Sequence, residues 1–494
     1  MLFGALRSAV SLPSSARTLT FSFSRASPIS RATVIRAPCT SSRLLTTNSI
    51  KSSEHLGKGM YKSFPALRSH PTPSHCRFIH ATPSNLTNSQ LEAPPPVLPS
   101  PAVGRWLLLS STLVLGIIVV GGVTRLTESG LSITEWQPIT GVLPPLSVDD
   151  WMVEFEKYKA TPEFKLMNHS ISLEDFKSIF YMEWGHRVLG RLIGVVFVGP
   201  LIYFAARRKI SKSMALKFTG LSLLIGAQGL LGWYMVKSGL EDSLMDTPGA
   251  VPRVSQYRLA AHLGMAFLLY VGMFGSGMAI IKDYKFANGA SRQDTSAKAL
   301  QKILSTPALL HFKRQALAVT ALVFLTALSG AFVAGLDAGL LYNEFPLMGG
   351  RLAPPADELF SESYAKNPDK SDKWWRNIFE NPTTVQFDHR VLAMTTYAAT
   401  AALYWRTFSP AMRQALPPLT RMATMAAFAM ANVQVALGIS TLLYLVPVPL
   451  AASHQAGSVM LLSAMVHLLI SMRKPSAAAR VWRELLAKNK APKA

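Results

Sequence analysis

Eight apolar runs dominate this chain, near 105–124, 188–206, 216–236, 259–281, 316–336, 390–408, 418–443 and 455–472. Each is long enough to cross a bilayer, which takes about 20 residues of helix. Inside lipid every backbone polar group needs a partner within the protein, so helices are the spanning form at these lengths. The expected fold class is all-α: a polytopic membrane protein with eight transmembrane helices.

The residues ahead of the first run read as a targeting segment. No acidic residue precedes Glu54, while Arg7, Arg17, Arg25, Arg31, Arg36, Arg43 and Lys51 are scattered among many Ser and Thr. That is the make-up of a mitochondrial transit peptide, and Arg interrupts the stretch too often for a secretory signal. Cys39 and Cys76 fall in or just after it, so disulfides, iron–sulfur clusters and Cys-ligated zinc are not expected in the mature chain. The formal net charge of +23 raises nucleic-acid binding as a possibility. Much of that charge belongs to the first hundred residues and the rest is segregated by loop, so no nucleic-acid partner is expected.

Eight spans put both termini on one side. Arg207, Arg208, Lys209, Lys212 and Lys217 crowd the second connection, Arg406, Arg413 and Arg421 the sixth, and the tail after Met472 is rich in Lys and Arg. The fifth connection, 337–388, holds nine acidic residues against five basic ones. By the positive-inside rule the even-numbered connections and both termini face the matrix. The expected location is the mitochondrial inner membrane.

The two halves of the chain echo each other. Glu183-Trp-Gly-His186-Arg187-Val-Leu opens the second span and Phe387-Asp388-His389-Arg390-Val-Leu the sixth. Gln228-Gly-Leu-Leu-Gly232 lies in the third and Gln434-Val-Ala-Leu-Gly438 in the seventh, with His262 opening the fourth and His454 the eighth. Four helices per half give parallel repeats about an axis along the membrane normal, hence two four-helix bundles. The division expected is 1–100 for transit peptide and Pro-rich linker, 101–285 for the first bundle, 286–312 for a matrix linker, 313–475 for the second bundle and 476–494 for a basic matrix tail.

Ionisable side chains within membrane spans are expensive and point to function. Of eleven histidines, His186, His262, His389, His454 and His467 lie in or at spans. His169 and His311 read as loop residues. The first four sit near the outer ends of the even-numbered helices, at one expected depth. Two neutral imidazoles facing each other across a bundle satisfy six-coordinate haem iron, whose porphyrin fills the equatorial positions. Four such residues imply two haems, one per half; zinc and a proton relay are the competing readings. His467 follows His454 by 13 residues, onto nearly the opposite helix face, and reads as structural.

Three residues before His186 stands Glu183, but three before His389 stands Gln386. A carboxylate one turn from a haem ligand can accept a proton or stabilise developing charge; equally it can pair with Arg187 or Lys177. Arg187 and Arg390 follow the ligands and suit haem propionates, with snorkelling to the interface as the alternative. Gln228 and Gln434 read as interhelical hydrogen-bonding residues. The Gly-rich turn after the first span follows a helix rather than a strand and is not read as a phosphate loop.

Taken together, Gly-Gly-Val-Thr-Arg-Leu-Thr-Glu-Ser-Gly-Leu-Ser from 121, Tyr-Met-Glu-Trp-Gly-His-Arg from 181, Gln-Gly-Leu-Leu-Gly-Trp-Tyr-Met-Val from 228 and the four spaced histidines resemble the haem A synthase family, over about 104–472. The resemblance implies oxidation of the C8 methyl group of haem O to a formyl group, making haem A for cytochrome c oxidase. It implies that His186 and His262 hold the substrate haem O, that His389 and His454 hold a resident haem B, and that Glu183 is catalytic. It further implies electrons from a mitochondrial ferredoxin, haem O passed on by a haem O synthase, and possible homo-oligomers. A bis-His, two-haem membrane electron carrier of the quinol-linked cytochrome type needs the same ligands and is the alternative. A parallel-repeat transporter would need no haem.

Overall fold

A computed structural model describes residues 95–138, 140–246, 251–289 and 302–490, which fall in one compact unit, Asn88–Ala494. The expected transit peptide, Cys39 and Cys76 lie outside the described residues. Among those described there are helices and no strand, apart from one isolated bridge between Met348 and Arg351.

Eight long helices form the body: α1 Pro101–Leu126, α2 Leu173–Ala206, α3 Lys212–Lys237, α4 Gln256–Ala287, α5 Pro307–Gly335, α6 Pro382–Arg406, α7 Pro418–Leu443 and α8 Val448–Ser471. Their starts follow ordinary capping chemistry. Proline stands in the first two positions of α1, α5, α6, α7 and α8, where its missing N–H costs nothing. The Ser172 side chain accepts from Asp175 N at the start of α2, and Asn381 from Thr383 N at the start of α6.

Seven of the eight are long and apolar enough to cross a membrane; α6 is not among them. Eight long helices stand where the eight apolar runs were expected, as befits an all-α polytopic membrane protein. Asp388, His389 and Arg390 lie within the 25-residue α6 and, with its threonines, lower its apolarity; Thr396 and Thr400 are buried in protein.

Each half closes on itself. In the first, α1 packs on α2 and α4, and α3 on α2 and α4; in the second, α5 and α7 each pack on α6 and α8. The halves meet through α1, α4, α5 and α8. That seam carries polar ties as well as apolar packing: Tyr270 OH lies 2.7 Å from Ser463 Oγ, Gln455 Nε2 donates to Ile118 O at 3.1 Å, and Lys282 Nζ donates to the carbonyls of Ile470, Ser471 and Arg473.

Two features go beyond the expected spans. Helix α2 begins at Leu173 rather than near 188 because its outer turns form part of a small separate core, in which Phe176 and Phe180 meet Trp151, Phe155 and Tyr158 of the short helix Val148–Lys159. His186 therefore lies thirteen residues into its helix. The tail forms a further helix, Ala477–Lys490, whose Trp482 Nε1 donates to Pro96 O at 2.7 Å.

Candidate functional site

The four repeated histidines occupy matching places, each half-buried and each set against a glycine of the preceding helix. A Cβ on Gly121 of α1 would lie 3.1 Å from His186 Nε2, and one on Gly232 of α3 would lie 3.3 Å from His262 Cε1. In the second half, a Cβ on Gly330 would lie 3.4 Å from His389 Cε1, and one on Gly438 would lie 2.8 Å from His454 Cε1. Odd-numbered helices thus supply the flat surface and even-numbered helices the imidazole. The Gln-x-x-x-Gly repeat carried the signal for Gly232 and Gly438, though not their role.

Each half supplies two such histidines, His186 and His262 in the first and His389 and His454 in the second. The backbone under the second member is held identically: Gln228 Nε2 donates to His262 O at 3.1 Å, and Gln434 Nε2 to His454 O at 2.9 Å. These are the interhelical bonds expected of the two glutamines. His262 Nδ1 and His454 Nδ1 are buried without a hydrogen-bond partner. Leaving a buried polar nitrogen unpaired is costly, and sites where it persists call for a functional explanation.

Among the described residues no three His, Cys, Asp or Glu side chains converge as a metal-binding group. Zinc takes three or four protein donors. Two imidazoles per half, without a third such donor among the described residues, suit a metal whose remaining positions a macrocycle fills, so the residues fit haem.

The arginines after the first histidine of each half clamp the loop that follows the preceding helix. Arg187 Nη2 donates to Ile133 O and its Nη1 to Glu135 O, both at 2.8 Å. Arg390 Nη2 donates to Tyr342 O at 2.7 Å and its Nη1 to Glu344 O at 3.0 Å. Ile133 and Tyr342 are separated by the same interval as Glu135 and Glu344, and as Gly121 and Gly330. The internal repeat therefore extends to individual hydrogen bonds. Every guanidinium nitrogen of Arg187 has a protein partner, whereas Arg390 Nε is buried without one.

The expected asymmetry sits inside this clamp. Glu183, 3% exposed, accepts at Oε2 from Ser132 Oγ and from Ile133 N, both at 2.8 Å, and at Oε1 from Arg187. Its counterpart Gln386 donates to Tyr342 O at 3.2 Å and leaves Oε1 unpartnered. Of the two readings open for Glu183, pairing with Arg187 is present, and Lys177 pairs with Glu174 instead.

His467 is half-buried on α8 and His169 lies in a loop, as expected. His311 stands in the first turns of α5 rather than in a connection, because Pro307 starts that helix earlier than the apolar run does. A residue that sequence reasoning passed over is Ser329, whose Oγ lies 2.7 Å from His389 Nδ1.

Residues 104–466 match the family model for cytochrome oxidase assembly protein, COX15-CtaA. The chain is 45% identical over 401 residues to haem A synthase COX15 of Saccharomyces cerevisiae, covering 81% of this chain and 80% of that one. It is 46% identical over 381 residues to haem A synthase COX15 of Homo sapiens, covering 76% and 85%. A haem A synthase–mitochondrial ferredoxin fusion protein of Schizosaccharomyces pombe is 46% identical over 393 residues, covering 79% of this chain and 63% of the fusion.

Proposed function

The chain belongs to the COX15-CtaA family of cytochrome oxidase assembly proteins, and from that premise we propose that it is a haem A synthase. It is an oxidoreductase that converts haem O to haem A in a mitochondrial membrane. The observation that carries this reading is the repeated setting of His186, His262, His389 and His454, two in each bundle and each against a glycine of the preceding helix.

In this reading His186 and His262 hold the substrate haem O, within an N-terminal half spanning 101–285. His389 and His454 hold a resident haem B in a C-terminal half spanning 313–475. Bound haem B supplies a one-electron relay. Two successive hydroxylations, each drawing one oxygen atom from dioxygen with two electrons from the donor and two protons and releasing one water, would carry the methyl carbon of haem O to a gem-diol, which loses water to give the formyl group. Glu183 is the catalytic carboxylate, in the one clamp of the two that carries an acid. There it stabilises positive charge developing at the reacting carbon or takes up a proton.

Arg187 and Arg390 first hold the outer loops. For a propionate contact, Arg390 Nε is the donor without a protein partner. The membrane is the inner one, with both termini in the matrix, which places the basic connections toward a mitochondrial ferredoxin as electron donor. The fusion in Schizosaccharomyces pombe supports that partner.

The test is spectroscopic. Purified full-length protein should show the absorption of low-spin haem, and acid extraction should recover haem B together with haem O or haem A. His389→Ala or His454→Ala should remove haem B; His186→Ala or His262→Ala should spare it and stop haem A accumulation. Colourless protein would refute the reading, and the opposite pattern of losses would reverse the two halves.

A further inference from the structure

His389 and His186 occupy the same place in their bundles, but their rings are held differently. Ser329 Oγ lies 2.7 Å from His389 Nδ1 and 2.8 Å from Thr326 O. A serine hydroxyl has a single proton. Donated to the Thr326 carbonyl, which can only accept, that proton leaves Oγ as the acceptor toward the ring. His389 must then carry its proton on Nδ1, which frees the Nε2 lone pair for a metal.

Among the described residues of the first half there is no such contact. Counting from the matched glycines Gly330 and Gly121, the counterpart of Ser329 is Val120 and that of Thr326 is Ile117. Thr326 Oγ1 also meets Thr396 Oγ1 at 2.7 Å, whereas the position matching Thr396 when His389 and His186 are superposed is the buried Ile193. His186 has no hydrogen-bond partner for its ring among the described residues. Its ring is also turned: the Nε2 and Cδ2 edge lies against Gly121, at 3.1 and 3.4 Å from a Cβ there, whereas His389 presents Cε1 to Gly330.

We infer that Ser329 is a positioning residue that makes His389 a permanent axial ligand, and that Val120 in the same place leaves His186 free to turn and release its haem. One repeat thereby keeps a haem and the other exchanges one, from a single side-chain difference on the preceding helix. A hydrogen bond from the distal ring nitrogen raises ligand basicity, and loss of such a partner typically weakens metal binding about 10–100-fold. This inference rests on the assignment of the resident haem to the C-terminal half.

The experiment uses purified full-length holoprotein, reading the midpoint potential of each haem by spectroelectrochemical titration and the rate of haem loss on dilution in detergent. Ser329→Ala should raise the potential of the haem held by His389, because the less basic ligand stabilises the ferric state less. It should also speed loss of that haem about tenfold or more. Ser329→Thr, which keeps the hydroxyl, should match wild type. Val120→Ser should slow haem loss from the first half.

Unchanged potential and retention in Ser329→Ala would overturn the inference, as would Ser329→Thr behaving like Ser329→Ala. Should Ser329→Ala fail to fold, Val120→Ser decides: no gain in retention overturns it. If the haem perturbed in Ser329→Ala is extracted as haem O or haem A, the positioning role of Ser329 stands and the assignment of halves is reversed.

Discussion

Glu183 and Arg187 stand one turn apart on α2 and form a buried ion pair whose carboxylate is also held by Ser132 and the backbone of Ile133. One carboxylate thus ties together a helix, the loop after α1 and the residue next to His186. Glu183→Gln keeps the shape and removes the charge. Both haems should remain bound, while haem A formation falls about 100-fold or more. Stability should drop by about 1–3 kcal/mol, the usual cost of weakening a buried charged hydrogen bond. Extracting the haems from the variant checks both statements, and undiminished haem A would assign Glu183 to the loop clamp alone.

The glycines facing the histidines should respond in the order of their clearances. Gly438→Ala places a methyl group 2.8 Å from His454 Cε1, closer than real Cβ contacts come, so the ring must move. Overpacking of that kind costs about 1–3 kcal/mol, and the variant should lose most of its C-terminal-half haem absorption. Gly330→Ala, at 3.4 Å from His389 Cε1, is an ordinary contact and should keep it. Comparable spectra in the two variants would contradict the arrangement.

Glu163 lies outside the spans, in the short helix Pro162–Leu166, 4% exposed and with Oε2 unpartnered. Burial pushes its carboxyl up to about 8 from an ordinary value near 4.5; the Tyr158 hydroxyl works against this, the charges of Glu183 and Glu128 add to it, and Arg125 opposes it. A carboxyl whose folded value is raised binds more protons folded than unfolded. This group should therefore add most to the stability of the small core around Trp151 and Phe176 at low pH, and that contribution should be lost as pH rises from about 4.5 to about 8. Limited proteolysis of 148–182 across that range should show increasing cleavage in wild type and a flatter profile in Glu163→Gln.

Asp337 joins the halves by pairing with Arg125 at 2.7 Å and Arg253 at 3.0 Å, from a left-handed backbone with φ 52°. It is 40% exposed, so the pairs should be worth no more than about 1 kcal/mol together. Asp337→Asn, which tolerates that backbone, should be nearly neutral, and Asp337→Ala worse because its Cβ is strained there without an amide to compensate. Thermal unfolding in detergent ranks the two, and an equal effect would assign the cost to charge rather than backbone.

Much of the architecture was legible before any coordinates. Each apolar run falls largely within one of the eight long helices, although α2 starts fifteen residues and α5 nine residues before its run, and the doubled His-Arg-Val-Leu, Gln-x-x-x-Gly and His motifs mark corresponding positions in the two halves. Run length understated α2, whose first turns pack on Trp151 and Phe155, and hydropathy understates α6, whose threonines and Gln386 are buried in protein. Hydropathy registers how apolar a residue is, not which neighbour it faces.

The sequence by itself determined that the chain is helical, that it is built twice, and that four imidazoles recur at matching places, because each of these follows from local periodicity or from motif repetition. Only the tertiary structure decided what each histidine touches. Ser329 precedes a glycine in α5 and His389 lies sixty residues later in α6; their 2.7 Å contact exists only once the two helices pack in one register. The same holds for Glu183, whose partners Ser132 and Ile133 are fifty residues away. Side-chain partnership across helices depends on rotation and depth of packing, which no single segment of chain encodes.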